Sequence, residues 1–252
     1  MVSAWASANG AGVCLGQLKV AAKSNEITAL PQLIKLLHLD QCIVTIDAMG
    51  CQTEIAQAIR DQGADYVLAL KANHATLYED TQRLFGEAAQ GGWHGIATAH
   101  IETLDVGHGR EATRRYSLLT AARYSAYVDP AGAWAGLRSL GRVDCERWVG
   151  DHVTREARYY VSSVASVAEF ARAARRHWGI ENGLHWVLDV AFREDEARAR
   201  LGYSAQNLAV LRHMALNLLK QERTARWGTK VKRLKAGWDE SYLLKVLASK
   251  PN

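Results

Sequence analysis

Residues 175–195 read Arg-Arg-His-Trp-Gly-Ile-Glu-Asn-Gly-Leu-His-Trp-Val-Leu-Asp-Val-Ala-Phe-Arg-Glu-Asp and carry the densest set of groups capable of chemistry in the chain. On a helix, steps of four return to nearly the same azimuth, so His177, Glu181, His185 and Asp189 form one slowly drifting polar stripe. Ile180, Leu184, Val187, Leu188 and Ala191 fall elsewhere on the circumference and suit a core. One reading of the stripe is a solvated face with pairs worth a few tenths of a kcal/mol each. The other is a carboxylate delivered to an active site. A second acid ends the run Cys42-Ile43-Val44-Thr45-Ile46-Asp47, the pattern of a strand buried on both faces. Ligands of open α/β sheets collect beyond the carboxyl ends of strands, which places Asp47 well for chemistry. The alternative is an Asp that caps a helix over residues 54–62 or closes a turn.

The elements that must position these acids follow from the patterning. Residues 2–6 and 12–20 read as short strands joined through Asn9-Gly10, a dipeptide suited to a hairpin turn. Residues 23–39 have helical period, with Ser24 or Asn25 as caps. A strand over residues 66–71 and a helix over 76–89 complete a strand, helix, strand, helix run. After Gly91-Gly92 the chain reads as β-rich, with alternation around residues 99–106, 113–120, 138–148 and 159–162. Helix resumes near Val167, passes through the Glu181 region and returns over residues 204–220 behind a Ser204 cap. The organisation expected is a single domain over residues 1–252. Its core spans 1–90 and 158–220, its β-rich insertion 91–157, and its basic C-terminal segment 221–252. Lys220, Arg223, Arg226, Lys230, Lys232, Arg233 and Lys235 form a basic patch with almost no compensating acid.

Several function classes are excluded. His177 and His185 stand eight residues apart, roughly 12 Å along a helix at 1.5 Å per residue, too far to share one zinc. There is no Gly-x-Ser-x-Gly elbow, and neither glycine-rich phosphate loop occurs. The four cysteines lack Cys-x-x-Cys spacing, so a disulfide framework is not expected. With 48% hydrophobic residues the chain can build a substantial core. Its 31 Lys and Arg against 26 Asp and Glu give a net charge of +5, compatible with a polyanionic partner. No signal peptide and no apolar run long enough to span a membrane occurs, so a soluble cytoplasmic protein is expected.

Carboxylates on a strand end and a helix fit hard oxygen ligation of Mg²⁺ or Mn²⁺, with a substrate phosphate completing the coordination. Two such ions can activate a water or 3′-hydroxyl on one side of a phosphodiester and stabilise the leaving oxygen on the other. Asp47 and Glu181 are the natural pair. His108, Arg110, Arg114, Arg115, Arg172, Arg175, Arg176 and the basic run over residues 220–235 could then neutralise a DNA backbone.

At this point the motifs resemble a family. Lys23-Ser24-Asn25-Glu26-Ile27, Val44-Thr45-Ile46-Asp47-Ala48-Met49-Gly50-Cys51-Gln52, Tyr66-Val67-Leu68-Ala69-Leu70-Lys71-Ala72-Asn73, His108-Gly109-Arg110 and residues 175–195 are similar, in order, to the ISAs group of bacterial insertion-sequence transposases. That group includes the H-repeat-associated proteins linked to Rhs elements. The resemblance covers essentially the whole chain. It implies an α/β, RNase H-like mixed sheet flanked by helices, with a β-rich insertion before the helix that bears the glutamate.

It also implies a DDE triad in which Asp47 and Glu181 are the second and third acids, holding two Mg²⁺ or Mn²⁺ ions when the triad is intact. His177, Trp178, Asn182, His185, Trp186 and Asp189 accompany the glutamate in the family motif and orient it or touch DNA. Lys71 and Asn73 join the basic residues as DNA contacts. The implied partners are double-stranded DNA at element ends and targets and, for an active protein, further copies of itself, in a nucleoid-associated setting with no membrane. Related transposases carry a Tyr, Arg, Glu, Lys signature, but Ala174, His177 and Leu188 stand at those offsets, so roles from that signature do not transfer.

Family members carry the first Asp in an Asp-Gly-Lys motif upstream of Val-Ser-Ala-Trp, the segment with which this chain begins. Asp40 is the only aspartate before Asp47, and it follows a helix. The expectation is an N-terminally truncated transposase lacking that metal ligand and its strand, with impaired catalysis. The rivals are a non-catalytic DNA-binding or oligomerising remnant, and a metal-dependent nuclease of the same fold.

Overall fold

Strand β3 (Ile43–Ile46) and strand β4 (Asp65–Leu70) lie parallel, joined through helix α2 (Thr53–Asp61), in a computed structural model that describes residues 2–8, 11–20, 26–93, 98–107 and 110–249. The Asn9-Gly10 turn, the Ser24 or Asn25 cap and His108 lie outside the described residues. The chain forms two compact units, one of Leu30–His177 and the other of Met1–Ala29 with Trp178–Asn252. The division falls within helix α1 (Glu26–Leu36).

The first unit is built on a six-stranded sheet. After β4 comes helix α3 (Ala75–Gln90), then β5 (Thr98–Gly107), β6 (Arg110–Thr120), β7 (Ser139–Val149) and β8 (His152–Ser162), with the short helix α4 (Ser125–Val128) between β6 and β7. The strand order is β3-β4-β8-β7-β6-β5. The β-rich stretch is therefore not a separate layer. Strand β8 pairs antiparallel with β4, Val67 opposite Ser162 through Leu70 opposite Tyr159, and makes one mixed sheet.

Alternation along β4 assigns its two faces. Val67 and Ala69 face helix α5 (Val167–His177), whose Phe170 is fully buried against the edges of the Tyr160 and Tyr116 rings at 5.4 and 6.4 Å. The sheet admits this ring because position 141 on β7 is glycine: a Cβ there would lie 2.4 Å from Phe170 Cζ. The opposite face is filled by buried Ile55 and Ile59 of α2 and Leu77, Leu84 and Phe85 of α3, Phe85 lying 6.0 Å from the Tyr159 ring.

One expectation changes. All four β3 residues are half-buried rather than sealed on both faces, because β3 is the sheet's edge strand and pairs only with β4 among the described residues. An apolar run therefore does not by itself separate a central strand from an edge.

The second unit contains a two-stranded antiparallel hairpin, β1 (Val2–Ala8) with β2 (Ala11–Leu18), a π-helical turn at Glu181–His185, and helices α6 (Trp186–Phe192), α7 (Ser204–Gln221), α8 (Thr229–Trp238) and α9 (Glu240–Leu247). Buried Cys14, Leu184, Val187, Leu188, Ala191 and Leu216 form its core, with Trp5, Ile180 and Phe192 packed against them. Asn217 on α7 ties down β2 by accepting from the Cys14 N–H at 2.9 Å and donating to the Cys14 carbonyl at 2.8 Å. Ser204 does not cap α7: the residue before the helix is Tyr203, and no side chain caps it. Helices α8 and α9, read from sequence only as a basic segment, are real elements. Asp239 caps α9, its carboxylate accepting from the Tyr242 N–H at 3.0 Å.

Candidate active site

Asp47 continues the extended backbone of β3, with φ −69° and ψ 178°, and leads into a 3₁₀ turn at Ala48–Gly50. Its side chain makes no capping hydrogen bond to that turn, and the residue ahead of α2 is Gln52. The reading of Asp47 as a helix cap is thus set aside, and its carboxylate is exposed at the carboxyl end of the parallel pair.

The mount beneath it is braced from the 3₁₀ turn at Ala72–His74 that follows β4. Asn73 Nδ2 donates to the Ala48 carbonyl at 2.8 Å, and His74 Nε2 lies 2.6 Å from the Cys51 carbonyl oxygen. Gly50 has no room for a side chain: a Cβ would sit 2.3 Å from Ile46 Cγ2 and 2.9 Å from Leu30 Cδ1. Thr45, two residues before Asp47 and so on the same face, has its hydroxyl 3.1 Å from His177 Nδ1 at the end of α5. Lys71 is exposed just past β4. Asp40 precedes β3, at the strand's amino end, and so lies away from the end that carries Asp47.

The glutamate's address differs from a plain α-helix. Helix α5 stops at His177, Trp178 forms a turn, and Glu181–His185 adopt the wider π winding before α6 begins. Steps of four therefore no longer fall on one azimuth, which corrects the stripe expected from sequence. The partition of faces survives. Glu181, Asn182, His185, Trp186 and Asp189 are exposed, while Leu184, Val187, Leu188 and Ala191 are buried.

Asp189 stands beside a second acid, Asp195. Partial desolvation and the neighbouring Asp195 carboxylate push its pKa up, with His185 opposing them. Asp189 thus belongs to a local cluster at the end of α6, where Arg193 adopts a left-handed φ of 53°.

A family model described as a transposase DDE domain matches residues 8–218. The chain belongs to the DDE transposase family. It is 41% identical to YncI of Escherichia coli O157:H7, which carries the name of a transposase, over 99% of this chain and 63% of that protein. It is 36% identical to YhhI of Escherichia coli strain K12, named as H repeat-associated and for a transposase, over 93% of this chain and 62% of that protein. The chain thus spans a little over three-fifths of the length of these relatives. The mixed six-stranded sheet flanked by helices agrees with the RNase H-like fold of DDE transposases.

Within this transposase domain the acids fall in different units, Asp47 in the sheet unit and Glu181 in the helical one. Carboxylates are the donor type that suits Mg²⁺ or Mn²⁺. Among the described residues, however, no three His, Cys, Asp or Glu side chains converge so as to hold an ion by themselves.

The basic residues of the domain also differ in their surroundings. Arg114 and Arg175 share the Asp105 carboxylate, Arg175 at 3.3 Å, so their charge is partly compensated. Arg176 and Trp178 are exposed, and Arg110 opens β6. The C-terminal patch is thinner than its sequence suggests. Lys220 is half-buried and donates to the Gly183 carbonyl at 2.7 Å, and Lys232 is buried beside the Glu222 carboxylate at 3.5 Å. Glu222 is the compensating acid, and Arg223, Arg226 and Lys230 remain exposed. No helix among the described residues is long and apolar enough to cross a membrane.

Proposed function

We propose that this domain contributes the metal-dependent phosphoryl transfer of an insertion-sequence transposase, with Asp47 and Glu181 as two of the three acids. The observation that carries the proposal is the mount of Asp47: an exposed carboxylate at the carboxyl end of a parallel strand, its side chain making no capping hydrogen bond, with the next residue, Ala48, held by Asn73 from the turn that follows β4. Glu181 supports it as the exposed acid on a helical face whose reverse is anchored in a core. When bound, Mg²⁺ or Mn²⁺ supplies activation of the attacking oxygen and stabilisation of the leaving one.

The side chains of this chain have simpler tasks. Asp47 and Glu181 present fixed negative oxygens, His177 holds Thr45 beneath Asp47, and Arg176, Trp178 and Lys71 offer charge and a ring face to a DNA backbone. Because the chain spans 63% of YncI, the activity is proposed for the longer protein to which such a domain contributes. DNA is the proposed substrate, and self-association in the active state is proposed with it.

The test is incubation with element-end DNA and Mg²⁺ or Mn²⁺. Joining of a 3′-hydroxyl end to target DNA supports the transposase reading. Release of hydrolysed ends alone supports a nuclease, and binding without cleavage supports a non-catalytic DNA-binding role.

A further inference from the structure

The π turn that carries Glu181 widens the helix by one residue, which costs regular i to i+4 bonds and requires outside support. That support comes from two directions. Lys220, on α7, donates from Nζ to the Gly183 carbonyl at 2.7 Å, and the same ammonium lies 4.1 Å above the centre of the Trp5 ring. Trp5, on β1, abuts Gly183 so closely that a Cβ there would stand 2.7 Å from its Cζ2. Helix α7 is itself fixed by Asn217, one turn before Lys220, which grips the backbone of Cys14 on β2. Ammonium, ring and carbonyl thus form a node at the middle residue of the turn, two positions after Glu181.

We propose that Lys220, seated on Trp5, is a positioning residue that holds the π turn and so aims the Glu181 carboxylate. This rests on the reading of Glu181 as a reactive acid. A charge-assisted bond from an ammonium is stronger than a neutral one, and the ring face adds attraction that a neutral amine lacks. Burial draws the Lys220 pKa down to about 8, so the node loses its charge within reach of ordinary assay conditions.

On the hairpin, the turn, α6 and α7 the other titratable groups are Cys14 on β2, Glu181 and His185 in the turn, Asp189 on α6, and Arg212 and His213 on α7. Burial raises Cys14, while burial, with His185 adding to it, lowers His213. Neither of these two loses a positive charge near pH 8.

Three variants and two readouts test this. In the first, tryptophan emission of the full chain is followed against pH. The expected result is a component titrating near pH 8 that disappears in both Trp5→Phe and Lys220→Met and moves upward in Lys220→Arg. In the second, metal-dependent cleavage by the longer protein is measured: Lys220→Met should lower kcat about tenfold or more with KM for DNA unchanged, and Lys220→Arg should recover most of it.

An emission profile unaltered by Lys220→Met, or kcat within twofold of the parent, overturns the proposal. If Lys220→Met does not fold, Lys220→Arg decides by whether its alkaline limb moves upward or stays in place. Should Glu181→Gln leave cleavage intact, the assignment of Glu181 fails on its own. The emission titration then still decides whether Lys220 holds the turn.

Discussion

Replacing Glu222 by alanine should unlock the C-terminal helices of the transposase domain, and the network around it sets the scale. Glu222 is 2% exposed. One carboxylate oxygen accepts from the Thr224 N–H at 2.7 Å and from the Thr224 hydroxyl; the other accepts from the Tyr242 hydroxyl at 2.7 Å and faces Lys232 Nζ at 3.5 Å. Lys232 also donates to the Leu219 and Glu222 carbonyls. The cluster thereby links α7, α8 and α9 through one acid. Removing it leaves a buried ammonium without a counter-ion, a change that costs about 3 to 5 kcal/mol. With a urea slope of about 2 kcal/mol/M, a loss of about 4 kcal/mol lowers the midpoint by roughly 2 M.

The double variant Glu222→Leu/Lys232→Met should cost less than Glu222→Ala alone, because no uncompensated charge is left. The same carboxylate gives an acid limb. Burial alone would raise its pKa, but the hydrogen bonds from Thr224 and Tyr242 and the Lys232 charge outweigh that and hold it down to about 2 from an ordinary 4.5. A depressed acid contributes stability that is complete above the ordinary value and is lost as pH falls from about 4.5 towards 2. Urea unfolding at pH 7 and at pH 3, followed by tryptophan emission, measures both effects. A Glu222→Ala cost below about 1 kcal/mol, or a double variant worse than the single one, would refute the reasoning.

Other expectations follow from close approaches and braces. Gly141→Ala should destabilise the sheet unit by about 1 to 3 kcal/mol, since its Cβ meets Phe170 at 2.4 Å, and adding Phe170→Leu should recover part of that in thermal unfolding. Asn73→Ala removes the 2.8 Å bond to the Ala48 carbonyl, so it should lower kcat more than DNA affinity in a cleavage and filter-binding comparison. A pure DNA contact would show the reverse. Asp189→Asn should leave cleavage within a few-fold of the parent, since Asp189 interacts with Asp195 and His185 rather than standing as a separate acid.

Much of the sheet unit was legible because its residues obey local periods. Alternation marked the four antiparallel strands, and the helix expected over 76–89 appears as Ala75–Gln90. Asp47 could be placed because an apolar run ending in an acid is a local signal. The edge position of β3 was not legible, since it depends on what pairs beside it and not on its own residues.

The π turn escaped for a similar reason. Gly183 looks like an ordinary helical glycine until Trp5 and Lys220, 178 and 37 positions away in the numbering, are brought against it. Lys220 and Lys232 counted as surface charge in sequence because composition cannot distinguish a solvated ammonium from one seated on a carbonyl. The apolar partition around Glu181 was readable, because Leu184, Val187, Leu188 and Ala191 keep one side of the helix under either winding.

The central proposal, that Asp47 and Glu181 are two of the acids of one metal-dependent transposase centre, is tested most directly by iron-directed self-cleavage. Fe²⁺ replaces Mg²⁺ in the longer protein, and ascorbate with peroxide generates radicals that cut the backbone beside the bound ion. The account predicts two cuts, one next to Asp47 and one next to Glu181, both suppressed by excess Mg²⁺ and both lost in Asp47→Asn. Cuts confined to the Asp189 and Asp195 region, or a Glu181 cut that persists in Asp47→Asn, would contradict it.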